Sequence, residues 1–171
     1  MMKNIITDRL LIQQLTIEHA AFILELLNTA GWLQYIGDRK VKTLVDAENY
    51  ILNGPVKSYE KNGFGLWIVI HKTESKAIGI CGLIKRDTLE DVDIGFAFLP
   101  EYNGHGYAFE ASHACLKYGQ NKLSLKRIVA ITTLENTKSI SLLEKLGMKF
   151  ENTIQFPNET EVLNLYATQE A

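Results

Sequence analysis

Cysteine is scarce in this chain: Cys81 and Cys115 are the only two in 171 residues. They sit in separate apolar stretches without the paired spacing of a zinc or dithiol motif, so no metal, redox or disulfide framework is indicated. Proline is scarce too, with three in all, and no repeat, low-complexity tract or long linker divides the chain. One domain over 1–171 is expected, at a length suited to a single core. No apolar run reaches the roughly 18–20 residues that span a bilayer, which argues against a membrane partner. The opening MMKNIITDRL lacks the apolar core of a signal peptide, so a cytoplasmic location is expected. A surplus of positive charge is also missing. Residues 1–85 hold ten Lys and Arg against eight Asp and Glu, and residues 86–171 hold eight against twelve, giving +2 and −4 and a net charge of −2. Nucleic acid would need a basic face, so it is not an expected partner. The acidic half suits a cationic substrate such as an amine, and equally a surface that is merely soluble.

What is present is an ordinary globular composition, 46% hydrophobic and 22% charged. RLLIQQL (9–15) reads as a strand. TIEHAAFILELLN (16–28) follows as a helix, with Thr16 at its N-cap and Ile17, Ala20, Ala21, Leu24 and Leu27 on one face. Residues 30–42 show no period and, with two aromatics and two glycines, suit a substrate-facing loop. Helical spacing predicts a second helix through 43–61, broken at Asn53-Gly54-Pro55. GLWIVIHK (65–72) and KAIGICGLIKR (76–86) read as a hairpin, with Phe64 and Trp67 in the core. DVDIGFAFL (91–99) alternates, placing Val92, Ile94, Phe96 and Phe98 on one face and Asp93, Gly95 and Ala97 on the other. A helix over 107–122, a nearly all-apolar strand RIVAIT (127–132) and a helix over 136–147 ending at Gly147 come next. MKFENTIQF and EVLNLYA close the chain as a hairpin. The order β-α-α-β-β-β-α-β-α-β-β predicts an α+β fold of mixed α/β layers.

Between the alternating strand and the 107–122 helix lies PEYNGHGYAFEA (100–111). Gly104 and Gly106 allow close backbone approach, and the amides of Asn103 through Tyr107 lack helical acceptors at the positive end of the helix. Such a nest suits a phosphate or pyrophosphate. A Rossmann fingerprint would need a third glycine where Phe109 stands, and a Walker A loop would need a Gly-Lys-Ser/Thr that is absent. A coenzyme A pyrophosphate loop and a simple tight turn remain.

PEYNGHGYAFEA resembles the acetyl-CoA loop of the GNAT N-acetyltransferase superfamily. ENTKSISLLEKLGM (135–148) resembles that superfamily's next motif, an Asn opening a helix that closes in E-K-L-G-F/M, about 32 residues after Gly104. With DIGF and the opening TDRLLI (7–12), the likeness covers nearly the whole chain and points to the RimJ/RimL-type branch, which includes ribosomal-protein N-terminal acetyltransferases. The resemblance implies a GNAT fold, a central, mostly antiparallel sheet of six to seven strands with about four helices. It also implies acetyl-CoA as cofactor and direct transfer of acetyl to a primary amine, a protein N-terminus or a small amine, in a ternary complex. A homodimer is a candidate assembly. Departures are Glu101 where many members carry Gln or Arg, Asn103 where the branch carries Trp, and Leu143 where many members carry a thiolate-protonating Tyr.

By the same resemblance, the cofactor is met by Phe96, Phe98 and Leu99 at the strand, by Asn103, Gly104, His105, Gly106, Tyr107 and Ala108 at the turn, and by Asn136 and Ser139. Ser139 is the candidate acid in place of Leu143, or a capping residue. Asn136 orients the cofactor arm or caps its helix. Asp93 is the candidate base, with Glu135 and Asp91 as rivals, a water chain as another route and a solvated strand carboxylate as the plain reading. His105 is a phosphate neighbour; His19, His71 and His113 read as surface or structural residues. Trp32 and Tyr35 are candidates for the acceptor pocket or for core packing. Leu143 also leaves open a non-catalytic acyl-CoA-binding or regulatory module.

Overall fold

A computed structural model describes residues 3–169. Eight strands form one sheet in the order β1-β2-β3-β4-β5-β6-β8-β7. They are β1 (Ile5–Ile6), β2 (Leu10–Gln14), β3 (Leu66–His71), β4 (Lys76–Ile84), β5 (Val92–Phe98), β6 (Ile128–Thr133), β7 (Lys149–Ile154) and β8 (Leu163–Ala167). Every neighbouring pair is antiparallel except β5 and β6. The sheet thus exceeds the expected six to seven strands. The addition is β1, whose two residues pair with Leu11 and Ile12 and are too few to show a period.

The helices are α1 (Ala20–Leu26), α2 (Ala30–Tyr35), α3 (Leu44–Ile51), α4 (Lys57–Asn62), α5 (Tyr107–Lys122) and α6 (Thr137–Lys145). Two differences from the sequence reading have physical causes. The expected break at Asn53-Gly54-Pro55 is a π-helical turn, Leu52–Val56, that joins α3 to α4. Proline removes an α-helical hydrogen bond and crowds the carbonyl four residues back, and the wider turn accommodates both. The expected loop at 30–42 begins as α2, capped by Thr29, whose side chain accepts from the Trp32 amide at 3.4 Å. Six residues with Gly31 inside are too short for a periodic signal.

Strand alternation sends side chains into two cores. Trp67 and Val69 of β3, with Val92 and Ile94 of β5, face α5 and α6, where Ala111, Cys115 and Leu143 complete the cluster. Ile68 and Ile80 face the other way, against Ile23 and Leu26 of α1 and Ala47 and Ile51 of α3. Leu143 is fully buried and anchors α6 to the sheet; one such side chain is worth about 1.5–3 kcal/mol. Gly147, at φ +82°, ends α6 in the left-handed conformation expected of it.

Candidate active site

The site begins where β5 and β6 part. Their parallel ladder holds only Val92↔Ile128 and Asp93↔Val129. On its other edge β5 stays paired to β4, and the Leu99 amide donates to the Ile78 carbonyl at 2.9 Å. Hydrogen-bonding direction alternates along an antiparallel ladder, so Ala97 and Gly95 also face β4. The backbone groups of Ile94, Phe96 and Phe98 therefore turn toward β6, and beyond Asp93 the two strands no longer pair. Phe96 and Phe98 thus present peptide groups to an open wedge while their rings pack beneath α5.

The glycine turn stands at the same end of β5. A short 3₁₀ turn, Pro100–Tyr102, leads to Gly104 at φ +80° and Gly106 at φ +81°, and Gly106 is the N-cap of α5. The first helical hydrogen bond runs from the Glu110 amide to the Gly106 carbonyl, so the amides of Tyr107, Ala108 and Phe109 have no acceptor in the helix. The Asn103 amide, expected among these donors, instead bonds the Pro100 carbonyl at 3.1 Å. Leu99 departs from expectation as well: its side chain is 5% exposed, its amide is committed to β4, and its carbonyl accepts from Tyr102. Asn103 through Gly106 are exposed, with the His105 ring 5.7 Å from that of Tyr107.

Side chains from the start of the chain brace this turn. Arg9 Nε donates to Glu110 Oε2 at 2.7 Å, its amide to Glu110 Oε1 at 2.9 Å, and its Nη1 to the His105 carbonyl at 2.9 Å. Its guanidinium lies 4.4 Å from the centre of the Tyr107 ring, a cation–π contact. Thr7 adds a 2.6 Å hydrogen bond to Glu110. Burial pushes the Glu110 carboxyl up, but the bonds from Thr7 and Arg9 and the charge of Arg9 outweigh it and hold it below its ordinary value. Behind the turn, the Tyr107 hydroxyl is 3.1 Å from His71 Nε2. The Glu74 amide lies 3.3 Å from His71 Nδ1, so the ring is held between Glu74 and Tyr107. His71 is buried at that position.

Beside the wedge, Gln34 and Tyr35 of α2, Thr133 at the end of β6, Leu134 and Glu135 after it, and Glu161 and Val162 before β8 line a cavity of about 310 Å³. Its walls include the exposed apolar side chains of Leu134 and Val162. Two carboxylates border it, and the Thr133 hydroxyl oxygen is buried with no hydrogen-bond partner among the described residues. α6 starts two residues after Glu135. Asn136 caps it, its Oδ1 accepting from the Ser139 amide at 3.2 Å, which leaves the Ser139 hydroxyl for another partner.

Two further candidates, Asp93 and Trp32, lie away from solvent. Asp93 is not a solvated carboxylate: it is 1% exposed and accepts from Arg86 Nε at 3.0 Å. Burial pushes its carboxyl up while Arg86 pulls it down, and it sits where β5 and β6 are still paired. Among its rivals, Asp91 is held by Arg127 Nε at 2.9 Å, whereas Glu135 borders the cavity. Trp32 is 5% exposed within the α1–α3 core, while Tyr35 does line the cavity. The sequence reading missed Glu161, Thr133 and the Arg9–Glu110 pair. Arg9 lay inside the quoted TDRLLI and Glu110 inside YAFEA, but nothing in a single sequence joins residues 101 positions apart.

A sheet opened between two parallel strands thus stands beside a glycine turn on a helix N-terminus. The acetyltransferase (GNAT) domain family matches residues 9–149. YkkB of Bacillus subtilis is 35% identical over 95 residues, 54% of this chain and 55% of that protein. The N-acetyltransferase YnaD of the same organism is 31% identical over 148 residues, covering 86% of this chain and 84% of YnaD. Among solved structures, a GNAT-family acetyltransferase from Bacillus anthracis superimposes with a TM-score of 0.79 at 30% identity, over 96% of this chain and 97% of that one. RimL, a ribosomal α-N-protein acetyltransferase solved in complex with coenzyme A, shares the fold at a TM-score of 0.82 and 13% identity, over 96% and 97%. The chain belongs to the GNAT acetyltransferase family, whose members use acetyl-CoA.

Proposed function

We propose that this chain, as one domain over 1–171, transfers acetyl from acetyl-CoA to a primary amine bound in the cavity beside the β5–β6 wedge. The observation that carries the reading is the wedge, where the peptide groups of Phe96 and Phe98 face β6 beyond the last paired residues of β5 and β6. Acetyl-CoA supplies an activated acetyl thioester. The residues present fit it: the amides of Gly104 through Phe109, which donate to no backbone carbonyl, suit a diphosphate at the positive end of α5. The Phe96 and Phe98 peptides suit the pantetheine arm and offer amide donors to a carbonyl oxygen, a type of contact whose loss costs roughly 3–4 kcal/mol. Asn136 holds the first turn of α6, and Ser139 offers its hydroxyl as a hydrogen-bond donor to the departing sulfur. With Asp93 sealed against Arg86, the amine proton leaves through water toward Glu135 or Glu161.

Two carboxylates beside apolar Leu134 and Val162 suit an acceptor with positive charge next to a short apolar segment. A peptide N-terminus and a small polyamine both meet that description. Free thiol released from acetyl-CoA, measured against peptides, polyamines and neutral amines, tests the reading; cationic acceptors should turn over fastest. Tight acetyl-CoA binding with no thiol release from any amine would establish the second reading, a non-catalytic acyl-CoA-binding module. One observation favours that alternative: Leu143 is fully buried and offers no hydroxyl as acid.

A further inference from the structure

We propose that Arg9 is the positioning residue that keeps the glycine turn in its anion-binding conformation; this rests on the diphosphate assignment above. A trans peptide is planar, so the carbonyl of His105 and the amide of Gly106 point in opposite directions. Arg9 Nη1 holds the His105 carbonyl at 2.9 Å, which aims the Gly106 amide away from Arg9. Gly106, at φ +81°, has no side chain to oppose a flip of that peptide. A flipped peptide would turn a carbonyl oxygen, the negative end of its dipole, toward an incoming anion. The tie to Arg9 prevents it.

Arg9 has a second effect through charge. Glu110 stands in the first turn of α5, its side chain only 18% exposed. An unpaired carboxylate there would repel a diphosphate at the same helix end, and the Nε–Oε2 ion pair at 2.7 Å cancels it. The guanidinium fork reaches the Glu110 carboxylate and the His105 carbonyl at once, and its third nitrogen, Nη2, is 3.3 Å from where a Cβ on Gly106 would stand. Lysine has one nitrogen and cannot make both contacts in one geometry. Because Arg9 precedes β2, the start of the chain thereby sets the shape of a turn about 100 residues later.

The test compares two donors, acetyl-CoA and S-acetylpantetheine, which lacks the diphosphate, with whichever amine turns over. In the unaltered protein kcat/KM should favour acetyl-CoA strongly. Arg9→Gln should cut that preference at least tenfold, mainly through KM for acetyl-CoA, and weaken coenzyme A in calorimetry by a similar factor. Arg9→Lys, which keeps the charge and the fold, should recover less than half of the loss on a logarithmic scale. Arg9→Gln with Glu110→Gln should bind coenzyme A more tightly than Arg9→Gln alone. An equal loss for both donors means that Arg9 only supports the fold, and an unchanged preference means that it has no role; either overturns the proposal. An unaltered protein without preference for acetyl-CoA would instead overturn the diphosphate assignment itself.

Discussion

Gly104 offers a direct test of the turn, because strain and ligand contact can be separated there. Its φ is +80°, and a Cβ added to it meets nothing within 4 Å. Any destabilisation from a side chain at this position is therefore conformational, about 1–2 kcal/mol for an ordinary residue in the left-handed region. In a chain of this size that lowers Tm by roughly 2–8 °C. The strain is present with and without ligand, so it largely cancels in the binding free energy. A loss of affinity then reports the side chain meeting the ligand. Gly104→Asn and Gly104→Val divide the two effects, since asparagine tolerates positive φ and valine does not. Valine should lower Tm more than asparagine, while both weaken coenzyme A at least tenfold in calorimetry, about 1.4 kcal/mol. If both variants bind within twofold of the unaltered protein and melt cooperatively, no ligand approaches this turn and the diphosphate assignment is wrong.

Ser139→Ala should lower kcat more than it changes the Kd for acetyl-CoA; an unaltered rate in the thiol-release assay would return Ser139 to a place in the first turn and nothing more. Glu135→Gln and Glu161→Gln should each raise KM for a cationic acceptor several-fold while leaving coenzyme A affinity within twofold, read from steady-state kinetics and calorimetry. Glu110, held below its ordinary value of 4.5, contributes stability that is present above about that pH and is lost as pH falls through its depressed folded value. The Tm difference between the unaltered protein and Glu110→Gln should therefore be largest above pH 5 and shrink toward pH 3 in calorimetric melts. Leu143→Ala should destabilise by about 2–5 kcal/mol, measured by denaturant unfolding, because it empties a fully buried site.

Much of the fold was legible because its elements are long or strongly patterned. The alternation of Val92, Ile94, Phe96 and Phe98 against Gly95 and Ala97 survives as the two faces of β5, since a strand's period of two assigns faces without knowledge of its neighbours. Helix α5 and the left-handed stop at Gly147 were equally readable. Short pieces were not. The two residues of β1 and the six of α2 carry too little pattern to be read.

The site divides in the same way. The sequence by itself determined the turn, because a left-handed backbone beside a helix start demands glycine, and Gly104 and Gly106 can be read as they stand. It also determined the Asn136 cap, a local bond across three residues. Only the tertiary structure decided what each charge does. Asp93 and Glu135 are both carboxylates near the end of a patterned segment, yet one is buried against Arg86 and the other borders a cavity. Charge takes its function from its surroundings, through burial and through partners that are remote in the chain. Arg9 and Glu110 meet because the sheet carries the start of the chain to the N-terminus of α5, and no local pattern encodes that meeting.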